Sequence, residues 1–142
     1  MKLFVATDFS SVTGLRHCDK SEKSGEEFYH TLLNPKFYEA LMKNENLDLE
    51  LDGTLDSYAP SFLDEALGNL VYDFSLAVVK SRLNLHSQRN QSWIKMIEEE
   101  TYPQWENRRL TGDIRLITVS HEDWYRRTAD GEYEKGQWAN LN

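Results

Sequence analysis

The stretch that most constrains the fold is residues 47–74, which read as a strand, a tight loop and a helix. Leu47, Leu49 and Leu51 alternate with acidic residues, and this period-2 pattern predicts a strand with one buried face. Gly53 ends the alternation, and residues 57–60 have the composition of a turn. The chain is therefore predicted to leave a sheet after residue 52 and to turn at once.

A helix is predicted to follow this loop, beginning at Ser61. Ser61 precedes Asp64 by three residues, a helix-start pattern in which the serine hydroxyl accepts a bond from a free backbone amide. The apolar residues that follow at helical spacing are Leu63, Leu67, Leu70 and Phe74, with Phe62 and Ala66 beside them. This order of elements places the Ser61 hydroxyl at the carboxyl end of a sheet, where α/β proteins usually bind their ligands.

Composition limits the classes of protein that this chain can be. With 142 residues, of which 39% are hydrophobic, it is long enough for one domain with a sizeable core. A formal net charge of -8 disfavours general binding to nucleic acid or to anionic membranes, because both are negative. The single cysteine, Cys18, excludes an intrachain disulfide, and no apolar run is long enough for a signal peptide or a membrane span. A cytoplasmic location is the resulting expectation.

The rest of the chain alternates predicted strands and helices, which favours an α/β layer over a sandwich or a bundle. Ser24 and Glu27 form a capping-box pattern at the start of a helix that Pro35 kinks or divides. The other elements predicted before residue 110 are strands at 2–7 and 82–86, a short helical turn at 75–81, and a helix from Asn90 or Ser92 to Trp105.

The last part of the chain is predicted to extend this domain. Residues 114–119 have a strand pattern, and Asp130-Gly131 between two tyrosines is a hairpin signal. The predicted hairpin or arm occupies residues 121–142. We therefore divide the chain into a domain at 1–110 and a C-terminal extension at 111–142, which packs on that domain or projects from it.

Two separated groups of residues resemble the core of a bacterial STAS-like family of uncharacterised proteins. The matching positions are Leu51-Asp52-Gly53, 61–66 and 68–71, with Gly14-x-Arg16 and Ser24-Gly25-Glu26-x-Phe28 upstream. The groups occur in the family's order, and the upstream one leads into a leucine-rich helix that meets a proline, here Pro35. The resemblance covers about residues 2–106 and implies a STAS-like sheet with helices packed on one face.

The resemblance also implies a non-enzymatic, regulatory interaction module that works by partner switching. In STAS antagonists of anti-sigma factors, a histidine-kinase-like ATPase phosphorylates a serine at a helix start, and the added charge breaks the complex. Ser61 matches that serine and is the phosphorylation candidate. The partner-binding surface implied in this way comprises Tyr58, Pro60, Ser61, Phe62 and Glu65. No catalytic residue, cofactor or metal is implied.

The chain departs from the STAS pattern around this serine. Residues 58–62, Tyr-Ala-Pro-Ser-Phe, stand where STAS domains have an Asp-Ser-Ser-Gly-Leu run, so the acid and the glycine are missing. The negative charges of Asp64 and Glu65 would also repel an incoming ATP. The alternative interpretation is that Ser61 only caps the helix.

Two further functions stay open on the sequence. The charge of -8 fits an acidic inhibitor or antitoxin-like protein that binds a basic nucleic-acid-processing protein, in phage defence or counter-defence. Residues 49–57 are similar to the first motif of haloacid-dehalogenase-type phosphatases, with Glu50 at the nucleophile position and Asp52 at the acid/base position. That phosphatase would be degenerate, because glutamate is one methylene longer and no paired-aspartate metal site follows. A homodimer is also left open.

The remaining reactive side chains give weaker signals. Cys18 and the four histidines, at positions 17, 30, 86 and 121, show no metal-ligand spacing, so no metal site is predicted. In the last third, arginines alternate with aromatic residues that could stack on bases or anchor a protein partner. We favour the interpretation that the tryptophans pack the extension onto the core. The group comprises Arg108, Arg109, Arg115, Arg126 and Arg127 with Trp105, Trp124, Tyr125 and Trp138.

Overall fold

The computed structural model describes residues 1–136. Its strands are β1 (Lys2–Phe4), β2 (Leu47–Glu50), β3 (Leu83–His86), β4 (Trp124–Arg127) and β5 (Tyr133–Gly136). Its α-helices are α1 (Gly25–Phe28), α2 (Asn34–Met42), α3 (Pro60–Phe74), α4 (Leu76–Arg82), α5 (Gln91–Met96) and α6 (Tyr102–Thr111). Three π-helical turns, Val5–Phe9, Tyr29–Leu33 and Ile97–Thr101, complete the regular structure of these residues. No helix in this part of the chain is long and apolar enough to cross a membrane.

The central sheet has three parallel strands in the order β1-β2-β3. Leu49 of β2 lies between Leu3 of β1 and Leu85 of β3 in the strand register. The predictions of strands at 47–52 and 82–86 are therefore confirmed. The first strand is shorter than predicted, because the Asp8 carboxylate accepts the Phe4 backbone N–H at 2.7 Å and the chain turns into the π-helical segment.

The helices cover one face of this sheet, as predicted. Each crossover joins neighbouring parallel strands, and right-handed crossovers of this kind place their helices on the same side. Leu3, Leu47 and Leu49 are buried under the helices, while Asp48 and Glu50 alternate with them and are only partly buried. The period-2 pattern of β2 thus reflects a sheet with one face covered by helices and the other face uncovered.

The first helical region runs from α1 through a π-helical turn into α2 without a break. Ser24 caps α1 by accepting the Glu27 backbone N–H, as the capping-box pattern predicts. Pro35 lies inside this continuous helical region, where proline has no N–H to donate to the preceding turn and its ring crowds that turn. The wide turn of Tyr29–Leu33 absorbs the change in backbone, so the predicted kink takes the form of a π-helical segment.

The core lies between the sheet and α3. Phe62, Leu63, Leu67 and Phe74 of this helix are at most 1% exposed, so the apolar spacing predicted for it is confirmed. The predicted start is wrong by two residues, because the N-cap is Ala59 and not Ser61, and Pro60 is the first helical residue. Proline is favoured at the first helical position since its backbone angle is already helical.

The strand predicted at 114–119 is wrong, because this segment has no regular structure. Its alternation is also inverted, since Arg115 is buried while Ile114 is 91% exposed and Leu116 is 61% exposed. Arg115 binds Asp73, and Thr118 binds Glu26 through its backbone and its hydroxyl. This segment is therefore held by bonds to side chains of α1 and α3, and not by the backbone pairing with a neighbouring strand that its pattern suggested.

The predicted C-terminal hairpin is confirmed at residues 124–136, while residues 137–142 of the predicted arm lie outside the described residues. β4 and β5 pair antiparallel, and Thr128 and Glu132 close the turn through a backbone bond of 2.7 Å. Gly131 has a φ of +90°, a conformation that glycine adopts without steric cost. Trp124 at the start of β4 is 1% exposed, so the hairpin packs on the helices. The domain boundary placed at residue 110 stays a prediction.

Candidate functional site

The loop between β2 and α3 is held from both sides. The Tyr58 hydroxyl donates to the Leu51 carbonyl at 2.6 Å, which closes the loop on itself. The Leu55 N–H donates to the Ser11 carbonyl at 2.8 Å, which ties the loop to the segment after β1. Leu55 nevertheless has an apolar side chain that is 71% exposed, and the neighbouring Val12 is 48% exposed. The loop is thus fixed at its base and presents apolar surface at its tip.

Ser61 lies in the first turn of α3 and is half-buried. Its side chain does not cap the helix, so the interpretation of Ser61 as a helix cap is wrong. Pro60 before it is exposed. We define the α3 rim as four accessible residues at the carboxyl end of the sheet: Val12, Leu55, Pro60 and Ser61.

The other residues of the predicted partner-binding surface lie in the interior. Tyr58 is 4% exposed, Phe62 is fully buried and Glu65 is 2% exposed. The Tyr58 ring packs 5.6 Å from the Phe62 ring and 4.8 Å from the Trp93 ring, measured between centroids. The three residues were predicted to lie at the surface because they are close to Ser61 in the sequence. In the structure, the two aromatic side chains fill the core beneath Ser61. Whether Pro60 and Ser61 bind a partner stays a prediction.

The acidic residues that follow Ser61 are neutralised by an arginine from the N-terminal segment. Arg16 lies 2.7 Å from the Asp64 carboxylate and 3.2 Å from that of Glu65. The indole N–H of Trp105 also donates to Asp64, at 3.1 Å. Burial raises the pKa of Glu65, and the nearby His17 and the amide of Asn69 partly offset that rise. The repulsion of ATP expected from Asp64 and Glu65 is therefore reduced by pairing.

The two carboxylates of the phosphatase-like motif have structural partners. Asp52 accepts the Ser87 hydroxyl at 2.7 Å and the Gln88 and Arg89 backbone N–H groups at 2.7 and 3.2 Å. Partial burial acts to raise the pKa of Asp52, but these hydrogen bonds outweigh it and lower the pKa. Glu50 accepts the Asp52 backbone N–H at 3.1 Å. Asp52 thus holds the loop between β3 and α5.

The uncovered face of the sheet carries a small polar concavity. It is lined by Lys2, Phe4, Asp48, Glu50 and His86. His86 lies 3.0 Å from the Asp48 carboxylate, and this hydrogen bond is the main cause of the lowered pKa of Asp48. Phe4 is 40% exposed on this face.

A buried carboxylate joins three distant parts of the chain. Glu26 is fully buried and accepts the Cys18 N–H at 3.2 Å and the Thr118 hydroxyl at 2.7 Å. His121 lies 2.6 Å from the same carboxylate. Burial acts to raise the pKa of Glu26, yet the bonds from His121 and Thr118 outweigh it and lower the pKa to about 2. Glu26 is therefore an anion held in the interior.

A thiol and a second histidine lie beside this carboxylate. The Cys18 Sγ is 3.2 Å from the Ser24 hydroxyl, and burial raises the pKa of the Cys18 thiol to about 11. The His30 ring stacks on the His121 ring with centroids 4.0 Å apart, and burial lowers the pKa of His30 to about 2. This cluster leaves no spacing signal in the sequence, because Glu26 and His121 are 95 positions apart. Metal-ligand spacing rules apply to residues much closer together in the chain.

The arginine and aromatic residues of the last third mostly pack against one another. Arg108 lies 4.1 Å above the Trp105 ring, and Arg115 lies 4.7 Å above the Tyr72 ring. Trp105 is 3% exposed. The favoured interpretation, packing of the extension onto the core, therefore holds for Trp124, which is 1% exposed. Trp105 lies in α6, before the extension, and packs against Gly68 of α3. Trp138 lies outside the described residues.

One part of the chain matches a known protein family. Residues 24–93 match the model of a family described as "STAS-like domain of unknown function (DUF4325)". The match begins at the α1 cap, includes β2, the α3 rim serine and β3, and ends in α5. No curated protein and no solved structure matches the chain.

Proposed function

We propose that this chain, which belongs through residues 24–93 to the STAS-like family, is a regulatory module that binds another protein through the α3 rim. The observation that carries the proposal is the half-buried Ser61 in the first turn of α3, next to exposed Pro60 and directly after the loop that carries exposed Leu55. STAS-like domains are generally protein-interaction modules. An accessible apolar side chain beside a modifiable hydroxyl suits docking that a charge can reverse.

We propose phosphorylation of Ser61 as the switch. A phosphate brings nearly two negative charges and three acceptor oxygens to a position three residues before Asp64, on the same helix face. The Asp64 carboxylate already pairs with the Arg16 guanidinium at 2.7 Å, so a phosphate on Ser61 would compete with Asp64 for that guanidinium. Because Arg16 belongs to the segment that carries Val12, the competition would disturb the rim itself. The partner class that fits this chemistry is an ATPase of the histidine-kinase type.

Affinity capture with matched variants tests the docking. Tagged wild-type chain, Ser61→Asp and Ser57→Asp are used to capture proteins from the native host, and the captured proteins are quantified by mass spectrometry. Ser57 is exposed in the loop before α3, so Ser57→Asp adds the same charge four residues away. We expect one partner to be captured by wild type and by Ser57→Asp and to be lost from Ser61→Asp. Equal capture by all three chains would contradict the proposal.

The modification is tested on the purified pair. The captured partner is incubated with ATP and the wild-type chain, Ser61→Ala or Ser57→Ala, and intact masses are recorded. We expect one added phosphate on the wild type and on Ser57→Ala and none on Ser61→Ala. A partner that binds but adds no phosphate would remove Ser61 from the switch and leave the docking proposal standing.

We also propose that the chain is not a phosphatase. The proposal is supported by the three bonds that Asp52 accepts from residues 87–89, which give this carboxylate a structural task. Hydrolysis of a generic phosphate ester in the presence of Mg²⁺ is the test, with Asp52→Asn as the comparison. We expect no turnover by either chain. Mg²⁺-dependent hydrolysis that disappears in Asp52→Asn would establish the enzyme instead.

A further inference from the structure

Three side chains of different chemistry meet behind α1. The Cys18 Sγ, a Glu26 carboxylate oxygen and a His121 ring nitrogen all lie within 4.8 Å of one another. Thiolate, carboxylate and imidazole are the side chains that bind Zn²⁺ in proteins, at about 2.0–2.3 Å from the ion. Tetrahedral ligands at those distances are about 3–4 Å apart, so only a small contraction separates this cluster from a zinc site.

The three groups are held in position before any ion binds. Glu26 lies in the first turn of α1, and its carboxylate is oriented by the Thr118 hydroxyl at 2.7 Å. Cys18 is held through its backbone N–H on Glu26 and through its sulfur next to Ser24, the α1 cap. Ligands that are fixed by surrounding hydrogen bonds bind a metal more tightly than mobile ones.

A neighbouring histidine adds unpaired polar atoms next to the three donors. His30 is 6% exposed, and neither of its ring nitrogens has a hydrogen-bond partner among residues 1–136. A buried imidazole without partners costs free energy, and buried polar groups are nearly always satisfied. The His30 ring lies parallel to the His121 ring at 4.0 Å, directly against the donor cluster. Two ring nitrogens next to the donor cluster are therefore not used by hydrogen bonds among the described residues.

An ion can reach the cluster from solvent. A cavity of about 610 Å³ is lined by Cys18 and His121 together with Glu22, Lys23 and Glu27. Two of the three donors thus face an opening, while Glu26 lies beneath them at zero exposure. Among the charged residues that line this cavity, Glu22 and Glu27 outnumber Lys23, which favours the entry of a cation. Water from the cavity can take the fourth position of a tetrahedral ion.

We propose that Cys18, Glu26 and His121 bind one Zn²⁺ ion. The ion joins the N-terminal segment, α1 and the C-terminal extension, and it replaces the direct His121–Glu26 contact with two bonds to the metal. It also links residue 26, inside the STAS-like match, to residues 18 and 121 on either side of it. The site is independent of partner docking at the α3 rim.

Titration calorimetry with Zn²⁺ on the full chain, after treatment with a chelator and a thiol reductant, tests the proposal. We expect one ion per chain and a rise in the thermal midpoint, because an ion that binds the folded state stabilises it. Replacement by Co²⁺ should give a thiolate-to-metal charge-transfer band in the near ultraviolet. Such a band reports a bond to sulfur and does not depend on any activity.

Cys18→Ser and His86→Gln separate the site from general metal binding. Cys18 is only half-buried, so its isosteric change should leave the fold intact, whereas Glu26→Gln could unfold the chain. We expect Cys18→Ser to weaken Zn²⁺ binding by more than about 100-fold and to abolish the band, since loss of an outer-shell group alone costs about 10–100-fold. His86→Gln, which removes an exposed histidine beside Asp48, should bind as the wild type does. Equal binding by Cys18→Ser and wild type, or no stoichiometric binding by the wild type, would overturn the proposal.

Discussion

The guanidinium of Arg115 makes two bonds of 2.8 Å to the carboxylate of Asp73, and their side chains are 5% and 2% exposed. The Tyr29 hydroxyl donates to the same carboxylate. Arg115 also lies between the rings of Tyr72 and Trp124. This buried ion pair anchors the irregular segment after α6 onto α3.

Breaking this pair from one side should be far more damaging than removing it. Asp73→Leu leaves the Arg115 charge buried without its partner, so we expect the free energy of unfolding to fall by about 3–5 kcal/mol. Asp73→Leu combined with Arg115→Met should regain most of that loss, because no charge remains buried. Urea unfolding of the single and double variants measures both values. In the exposed Arg126–Glu134 pair, Glu134→Gln should cost less than about 1 kcal/mol.

Gly68 allows α6 to lie close against α3, and an alanine there should destabilise the protein. A Cβ atom at this position would overlap with the indole ring of Trp105. Alanine favours a helix by about 1 kcal/mol over glycine, yet overpacking of this kind costs about 1–3 kcal/mol. We therefore expect Gly68→Ala to lower the thermal midpoint. In a Trp105→Leu background, the same change should be neutral or stabilising; an equal loss in both backgrounds would show that the indole is not the cause.

Alkaline pH should unfold the protein through its buried tyrosines. Burial raises the pKa values of Tyr29, Tyr58 and Tyr102 above the ordinary value of about 10. Above pH 10 the unfolded chain loses these protons while the folded chain keeps them, so stability falls as pH rises further. Phenolate absorbance and circular dichroism, recorded together, should show these three ionising only in step with unfolding. Tyr102→Phe should reduce that late absorbance by one tyrosine; late absorbance that precedes unfolding would contradict the prediction.

Asn34 should hold the C-terminal hairpin on the helices. Its side chain donates to the Tyr125 carbonyl and accepts the Tyr125 N–H, each at 2.8 Å. Asn34→Ala removes the partner of both part-buried backbone groups, and we expect a total loss of about 1–3 kcal/mol. Compared with wild type, Asn34→Ala should accelerate backbone hydrogen exchange in β4 more than in β2. Asn84→Ala, which removes an exposed amide from Asp48, is the control and should change neither the stability nor the exchange in β4. If Asn34→Ala leaves exchange in β4 unaltered, other contacts hold the hairpin.

Local elements of this fold were predictable because they depend on contacts within a few residues. The Ser24 cap, the β2 alternation and the Asp130-Gly131 turn each involve groups no more than four positions apart. The predictions failed where a residue's partner in the folded structure outweighed the local sequence pattern. Residues 114–119 alternate like a strand, but Arg115 finds its carboxylate on α3 and the segment follows that bond.

The candidate sites divide in the same way. The sequence placed Ser61 at the start of a helix after a central strand, and the structure has it in the first turn of α3. It did not show that Tyr58, Phe62 and Glu65 lie inside. Helical periodicity marks the face of a helix that is apolar, but which neighbouring element covers its first turn depends on the path of the whole chain.

The amino-acid sequence by itself determined the strand–loop–helix unit, the α/β class and the single buried face of β2, because periodicity and turn chemistry act over short distances. Only the tertiary structure decided which polar groups share an interior. The Glu26–His121 contact spans 95 positions and the Arg115–Asp73 pair spans 42. Such pairs form because burial makes an unpartnered charge costly, and the folded chain supplies the nearest opposite group regardless of its position in the sequence.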